Sequence, residues 1–95
     1  MNLLILGDIM GASGRRVLSN KLPDLIKTHK INFVIVNGEN ASDDGRGITQ
    51  EITDEFFKIG VDVITSGNHI WDKKETTVFI EKENRLVRPA NLVNG

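Results

Sequence analysis

The chain has 95 residues, 26% of them charged and 39% hydrophobic, with a formal net charge of -1. That is room for one globular domain, and the scattered lysines and arginines give no strong nucleic-acid-binding signal, because non-specific binding needs a basic stripe. Cysteine is absent, which excludes disulfides, thiolate metal sites and cysteine nucleophiles and agrees with a reducing cytoplasm.

Leu3-Leu4-Ile5-Leu6 is a short apolar run. It reads as a strand buried on both faces, and it is far too short for a signal peptide or membrane span. Gly7 to Gly14 reads as a loop. A helix is expected next, with Val17, Leu18, Leu22, Leu25 and Ile26 at helical spacing. Pro23 lies inside it, so a kink or break is expected there. His29 falls near the end of this helix, where it complements the helix dipole. Arg15 and Arg16 could reach a phosphate, but a solvated helix face is the preferred reading.

Phe33-Val34-Ile35-Val36 is a second apolar run, followed by a long polar loop from Asn37 to Gly47. Thr49 is placed to cap a second helix, with Glu51 in its first turn, Ile48, Ile52, Phe56 and Ile59 on its apolar stripe and Gly60 to end it. Val61 to Thr65 reads as a third strand and Ser66 to Trp71 as a loop. Asp72 and Glu75 have capping-box spacing for a third helix. Leu86-Val87 can start a fourth strand, stopped by Pro89. The order βαβαβα with continuous apolar strands predicts an α/β fold, a mostly parallel sheet with helices on its faces. In such sheets ligands collect at the carboxyl ends of the strands.

Each of the first three strands empties into residues that can bind a metal. The first gives Gly7-Asp8, the second Asn37-Gly38-Glu39-Asn40, the third Gly67-Asn68-His69. Carboxylate, amide oxygen and imidazole together suit Mn, Fe or Mg. Helix N-termini beginning after such loops favour a bound phosphate.

These clusters resemble the ordered motifs of calcineurin-like metallophosphoesterases. Gly7-Asp8-Ile9-Met10-Gly11 with Gly14-Arg15, Asn37-Gly38-Glu39-Asn40-Ala41 with Gly45, Gly67-Asn68-His69 with Trp71-Asp72, and Arg88-Pro89-Ala90-Asn91 resemble the YmdB-type branch in particular. The likeness covers essentially the whole chain. It implies hydrolysis of phosphate esters such as 2′,3′-cyclic nucleotides at a dinuclear iron or manganese site. Asp8 and Asn40 would then bind the first metal, Glu39 would bridge both, Asn68 would bind the second, and His69 would give a proton to the leaving oxygen. Met10 stands where the broader superfamily has a histidine, as the YmdB-type branch allows.

Family members are longer and take further histidine ligands from a C-terminal half. This chain contains only His29 and His69. Residues 1–95 are therefore expected to form a single domain, the truncated N-terminal part of a metallophosphoesterase, with its second metal incompletely held. Ligands lent by another copy would make it a homo-oligomer.

Two other readings compete. A non-catalytic remnant or interaction module would leave exposed sheet edges and an uncovered apolar face. A Rossmann-type nucleotide-binding domain would use Gly7, Gly11 and Gly14 as its phosphate turn and Glu39 as its ribose acid. Against the latter, Gly-x-Gly-x-x-Gly is absent, and Asp8 would repel a pyrophosphate.

Overall fold

The computed structural model describes residues 1–67 and 85–87. Elements run in the order β1 (Leu3–Asp8), α1 (Gly11–His29), β2 (Phe33–Asn37), α2 (Gln50–Lys58), β3 (Val63–Thr65) and β4 (Leu86–Val87). The strands form one sheet in the order β1-β2-β3-β4, and every neighbouring pair is parallel. This is the expected α/β architecture. The helix expected after Asp72 and the loops with Trp71 and with Arg88 to Asn91 lie outside the described residues.

The sheet is two-sided in burial. Leu4, Leu6, Val34, Val36, Ile64 and Leu86 join Leu18 and Leu22 of α1 and Ile52 and Phe56 of α2 in one hydrophobic cluster. Both described helices therefore cover the same face. The residues of opposite parity are less buried: Leu3 is 49% exposed and Ile5 66% exposed. The expectation of a β1 buried on both faces is corrected here, because its alternate side chains point away from α1 and α2, the helices among the described residues.

Element bounds also differ from the expectation, with β3 beginning at Val63 and not at Val61. Helix α1 begins at Gly11, not after Gly14, and it runs through Pro23 without a break. The carbonyl that Pro23 cannot bond belongs to Ser19, and both residues are exposed. Water can satisfy that group, so the proline is tolerated. At the far end, Lys30 adopts φ 52° and its N–H donates to the Ile26 carbonyl, closing the helix with a left-handed cap.

The short α2 depends on its caps and packing more than on its length. Thr49 accepts a hydrogen bond from the Ile52 N–H at 3.2 Å, as its position suggested. Gly60 follows with φ 115°, and a Cβ there would meet Ile26 at 2.8 Å. The chain turns where only glycine is comfortable and where α1 leaves no space. Among the described residues no helix is long and apolar enough to cross a membrane.

Candidate functional site

Parallel pairing brings the strand ends to one edge. Asp8 closes β1 opposite Asn37, after a register shift between Leu6 and Asp8. Asn37 in turn lies opposite Thr65 at the end of β3. The shift is a local irregularity of the ladder, and departures of this kind re-aim side chains at sheet rims. Beyond β2 the backbone stays tied to both neighbours. The Ile9 N–H donates to the Asn37 carbonyl at 3.2 Å, and the Gly38 N–H donates to Thr65 at 2.8 Å.

Gly38 is required by packing. A Cβ there would stand 2.7 Å from Ile64 and 3.1 Å from Ile48, so the chain passes close over the core before presenting Glu39. The Asn37 side chain accepts the Glu39 N–H at 3.2 Å, an Asx-type turn that steers the backbone out of the strand. The carboxylate of Glu39 then lies over Gly67, where an added Cβ would sit 2.0 Å from Oε2. Thus the loops after β2 and β3 meet through Glu39 and a glycine with no side chain.

Asn40 is buried and its Nδ2 donates to Asp8 Oδ2 at 2.9 Å. Three of the expected site residues, Asp8, Glu39 and Asn40, therefore gather at the carboxyl edge of β1 to β3. Asn68 and His69 lie outside the described residues. His29 ends α1, where Asn2 of the sheet's opposite edge donates to its carbonyl at 3.2 Å. The helix spans about 28 Å at about 1.5 Å per residue, so His29 is remote from Asp8.

Among the described residues no cluster of three histidine, cysteine, aspartate or glutamate side chains is close enough to hold a metal. Two carboxylates and one amide remain. Their donors are all hard oxygens, the chemistry that suits Mg, Mn or ferric iron. Rotation of the Asn40 amide exchanges its NH2 for its oxygen, after which Asn40 Oδ1 and Asp8 can face one cation together. The donor set fits a metal on these grounds.

Arg15 is the residue that pattern reading misplaced. Its side chain is only 20% exposed and Nη2 contacts Asp43 Oδ1 at 2.7 Å, while Nη1 donates to the Ala41 carbonyl at 2.6 Å. It is committed to the loop after β2 and is not a solvated face. The helical spacing from Gly11 to Arg15 put both on one side of α1. That signal was legible, but its partner across the loop was not.

Two depressions flank this edge. A polar cleft of about 440 Å³ is lined by Arg15, Ser42, Asp43, Asp44, Thr49 and Glu51, among others. Its carboxylates make it a poor phosphate site, so it is not assigned to substrate. An apolar groove of about 360 Å³ runs along β1 and α1 past Leu6, Val17 and Leu25, with Asp8 at its rim.

Known proteins resemble this chain in sequence and in fold. A model of the YmdB-like protein family matches residues 4–95. The 2′,3′-cyclic-nucleotide 2′-phosphodiesterase of Bacillus subtilis strain 168 is 44% identical over the whole chain, which spans 36% of that protein. The crystal structure of a novel phosphatase from Mycoplasma pneumoniae superposes with a TM-score of 0.89 at 35% identity, covering 97% of this chain and 32% of that one. A hypothetical protein from Thermus thermophilus superposes with a TM-score of 0.88 at 37% identity, covering 100% of this chain and 36% of that one. The chain thus spans about a third of the length of these relatives. Its strand-end motifs, its parallel sheet and these likenesses agree, and the chain belongs to the YmdB-like family.

Proposed function

We propose that the chain is the N-terminal, metal-binding portion of a phosphodiesterase acting on phosphate esters such as 2′,3′-cyclic nucleotides, in the cytoplasm. The observation that carries this reading is the meeting of Asp8 and Asn40 at 2.9 Å. An exposed carboxylate at the end of β1 and a buried amide in the loop after β2, distant in sequence, are brought together.

In this reading Asp8 and Asn40 would hold a first metal, Glu39 would serve both metals and Asn68 would hold the second. Iron or manganese, when bound, would supply Lewis-acid chemistry, activating water and neutralising charge on the phosphate oxygens. Gly67 seats the Glu39 carboxylate between the loops. His69 protonates the leaving oxygen, a task suited to an imidazole that is charged near neutral pH. With His29 at the other edge, further ligands for a second metal would have to come from another polypeptide segment or a second copy.

The test is hydrolysis of bis-p-nitrophenyl phosphate by the purified chain with Mn²⁺, alongside EDTA and the variants Asp8→Ala and His69→Ala. Turnover abolished by EDTA and lowered by both variants supports the reading. Turnover indifferent to EDTA and to Asp8→Ala overturns it.

A second reading, a non-catalytic interaction module, is favoured by the apolar sheet face that exposes Leu3 and Ile5. Folded protein that binds no divalent metal and self-associates would support it. A monodisperse monomer that binds Mn²⁺ would count against it.

A further inference from the structure

We infer that Arg15 is a positioning residue that holds the Glu39–Asn40 loop at the strand edge, an inference that rests on the metal-site reading above for its functional consequence. The loop between β2 and α2 carries two of the proposed ligands on irregular backbone. Such a segment keeps its geometry only through ties to rigid elements. Its ties to α1 come in succession. The Gly11 N–H donates to the Asn40 carbonyl at 2.9 Å. One helical turn later, Arg15 Nη1 donates to the Ala41 carbonyl at 2.6 Å. Consecutive carbonyls on the C-terminal side of Asn40 are thus fixed by one face of one helix, while the Asn40 side chain reaches Asp8.

Magnitudes decide which of the two Arg15 contacts matters. Asp43 has an 81% exposed side chain, and an ion pair of that kind contributes little. The Ala41 contact is a charge-assisted hydrogen bond from a mostly buried guanidinium, the stronger type. A rigid fork that reaches two acceptors at once is a property of arginine and not of lysine. Losing Asp43 should therefore be tolerated, and losing Arg15 should free the loop.

The experiment compares the unaltered chain with Arg15→Ala, Arg15→Lys, Asp43→Asn and Arg16→Ala. Amide hydrogen exchange is followed by NMR in EDTA, so that no metal contributes. The reporters are the Gly11 amide and the Gly47 amide, which donates to the Glu39 carbonyl at 2.5 Å. The Asp62 amide, bonded to Val34 at 2.9 Å, reports on the fold itself. Arg15→Ala is expected to speed exchange at Gly11 and Gly47 by about tenfold or more relative to Asp62, with Arg15→Lys intermediate and the other two variants unchanged. Mn²⁺ titration of the same proteins is expected to show about tenfold weaker binding for Arg15→Ala, the scale typical of residues that support metal ligands. Unchanged exchange at Gly11 and Gly47 in Arg15→Ala overturns the inference. If the unaltered chain binds no Mn²⁺, the metal reading fails by itself, and the exchange result still decides whether Arg15 holds the loop.

Discussion

The side-chain amide of Asn40 donates to Oδ2 of Asp8 across 2.9 Å, joining the loop after β2 to the end of β1. The pair is a hydrogen bond without a cation, and under the proposed metal reading it would become a shared oxygen ligand set with one. Asn40→Asp separates these states. A second carboxylate beside Asp8 brings repulsion of about 1 to 4 kcal/mol at a separation of about 4 Å, depending on the effective dielectric. In EDTA the variant should melt at least about 4 °C below the unaltered chain. Saturating Mn²⁺ should recover most of that loss, because the cation neutralises the pair. Calorimetry with and without metal checks both halves.

Asp8→Ala removes a proposed ligand together with the acceptor of the Asn40 amide. Mn²⁺ binding should weaken by at least about tenfold, at least the scale seen on losing residues that merely support ligands. Isothermal titration reads this directly. Equal affinity in the two proteins would remove Asp8 from the site.

Gly67→Ala tests the seat of Glu39. The added Cβ would lie 2.0 Å from Oε2 and 2.5 Å from Cδ of that carboxylate, so the side chain must swing away. The obstacle is the end of a flexible side chain, so the cost to the fold should stay within about 1 kcal/mol, in the range of ordinary substitutions. Under the proposed reading, metal binding and phosphodiester hydrolysis should fall by about tenfold or more, since a displaced ligand would lose its geometry. Urea unfolding beside Mn²⁺ titration distinguishes lost function from lost fold.

The two faces of the sheet should answer differently to truncation. Ile64 is fully buried, whereas Ile5 is 66% exposed. Ile64→Ala should cost about 2 to 5 kcal/mol through lost transfer energy and a residual cavity. Ile5→Ala should stay within about 0.5 kcal/mol, as at other surface positions. Denaturation midpoints at a constant slope give the comparison. Equal costs would mean that the Leu3 and Ile5 face is covered in solution.

Ser42 offers a stabilising change. It is 3% exposed, and among the described residues its hydroxyl finds no hydrogen-bond partner. A buried unpaired hydroxyl costs about 1 to 3 kcal/mol. Ser42→Ala should therefore raise stability by about 1 kcal/mol, seen as a higher urea midpoint. A lower midpoint would show that the hydroxyl is bonded.

Much of the fold was legible because its signals are local. Apolar runs at Leu3, Phe33 and Val61, the Thr49 cap and the Gly60 stop each depend on neighbouring residues and on backbone conformations that neighbours dictate. Their alternation with helical spacing was enough to specify a parallel α/β sheet, and with it the edge where Asp8, Glu39 and Asn40 gather. The start of α1 at Gly11 and its passage through Pro23 were less legible. Packing of Leu18 and Leu22 against the sheet outweighs the weak local preferences of glycine and proline.

By itself, then, the sequence determined the order of elements and the chemical identity of the proposed metal ligands, since both follow from residue type and spacing along the chain. Only the tertiary structure decided that α1 and α2 share one sheet face, that the Glu39 carboxylate rests on Gly67, and that Arg15 grips the Ala41 carbonyl. Those relationships join residues distant along the chain. They are set by chain crossover and close packing, which no local pattern encodes.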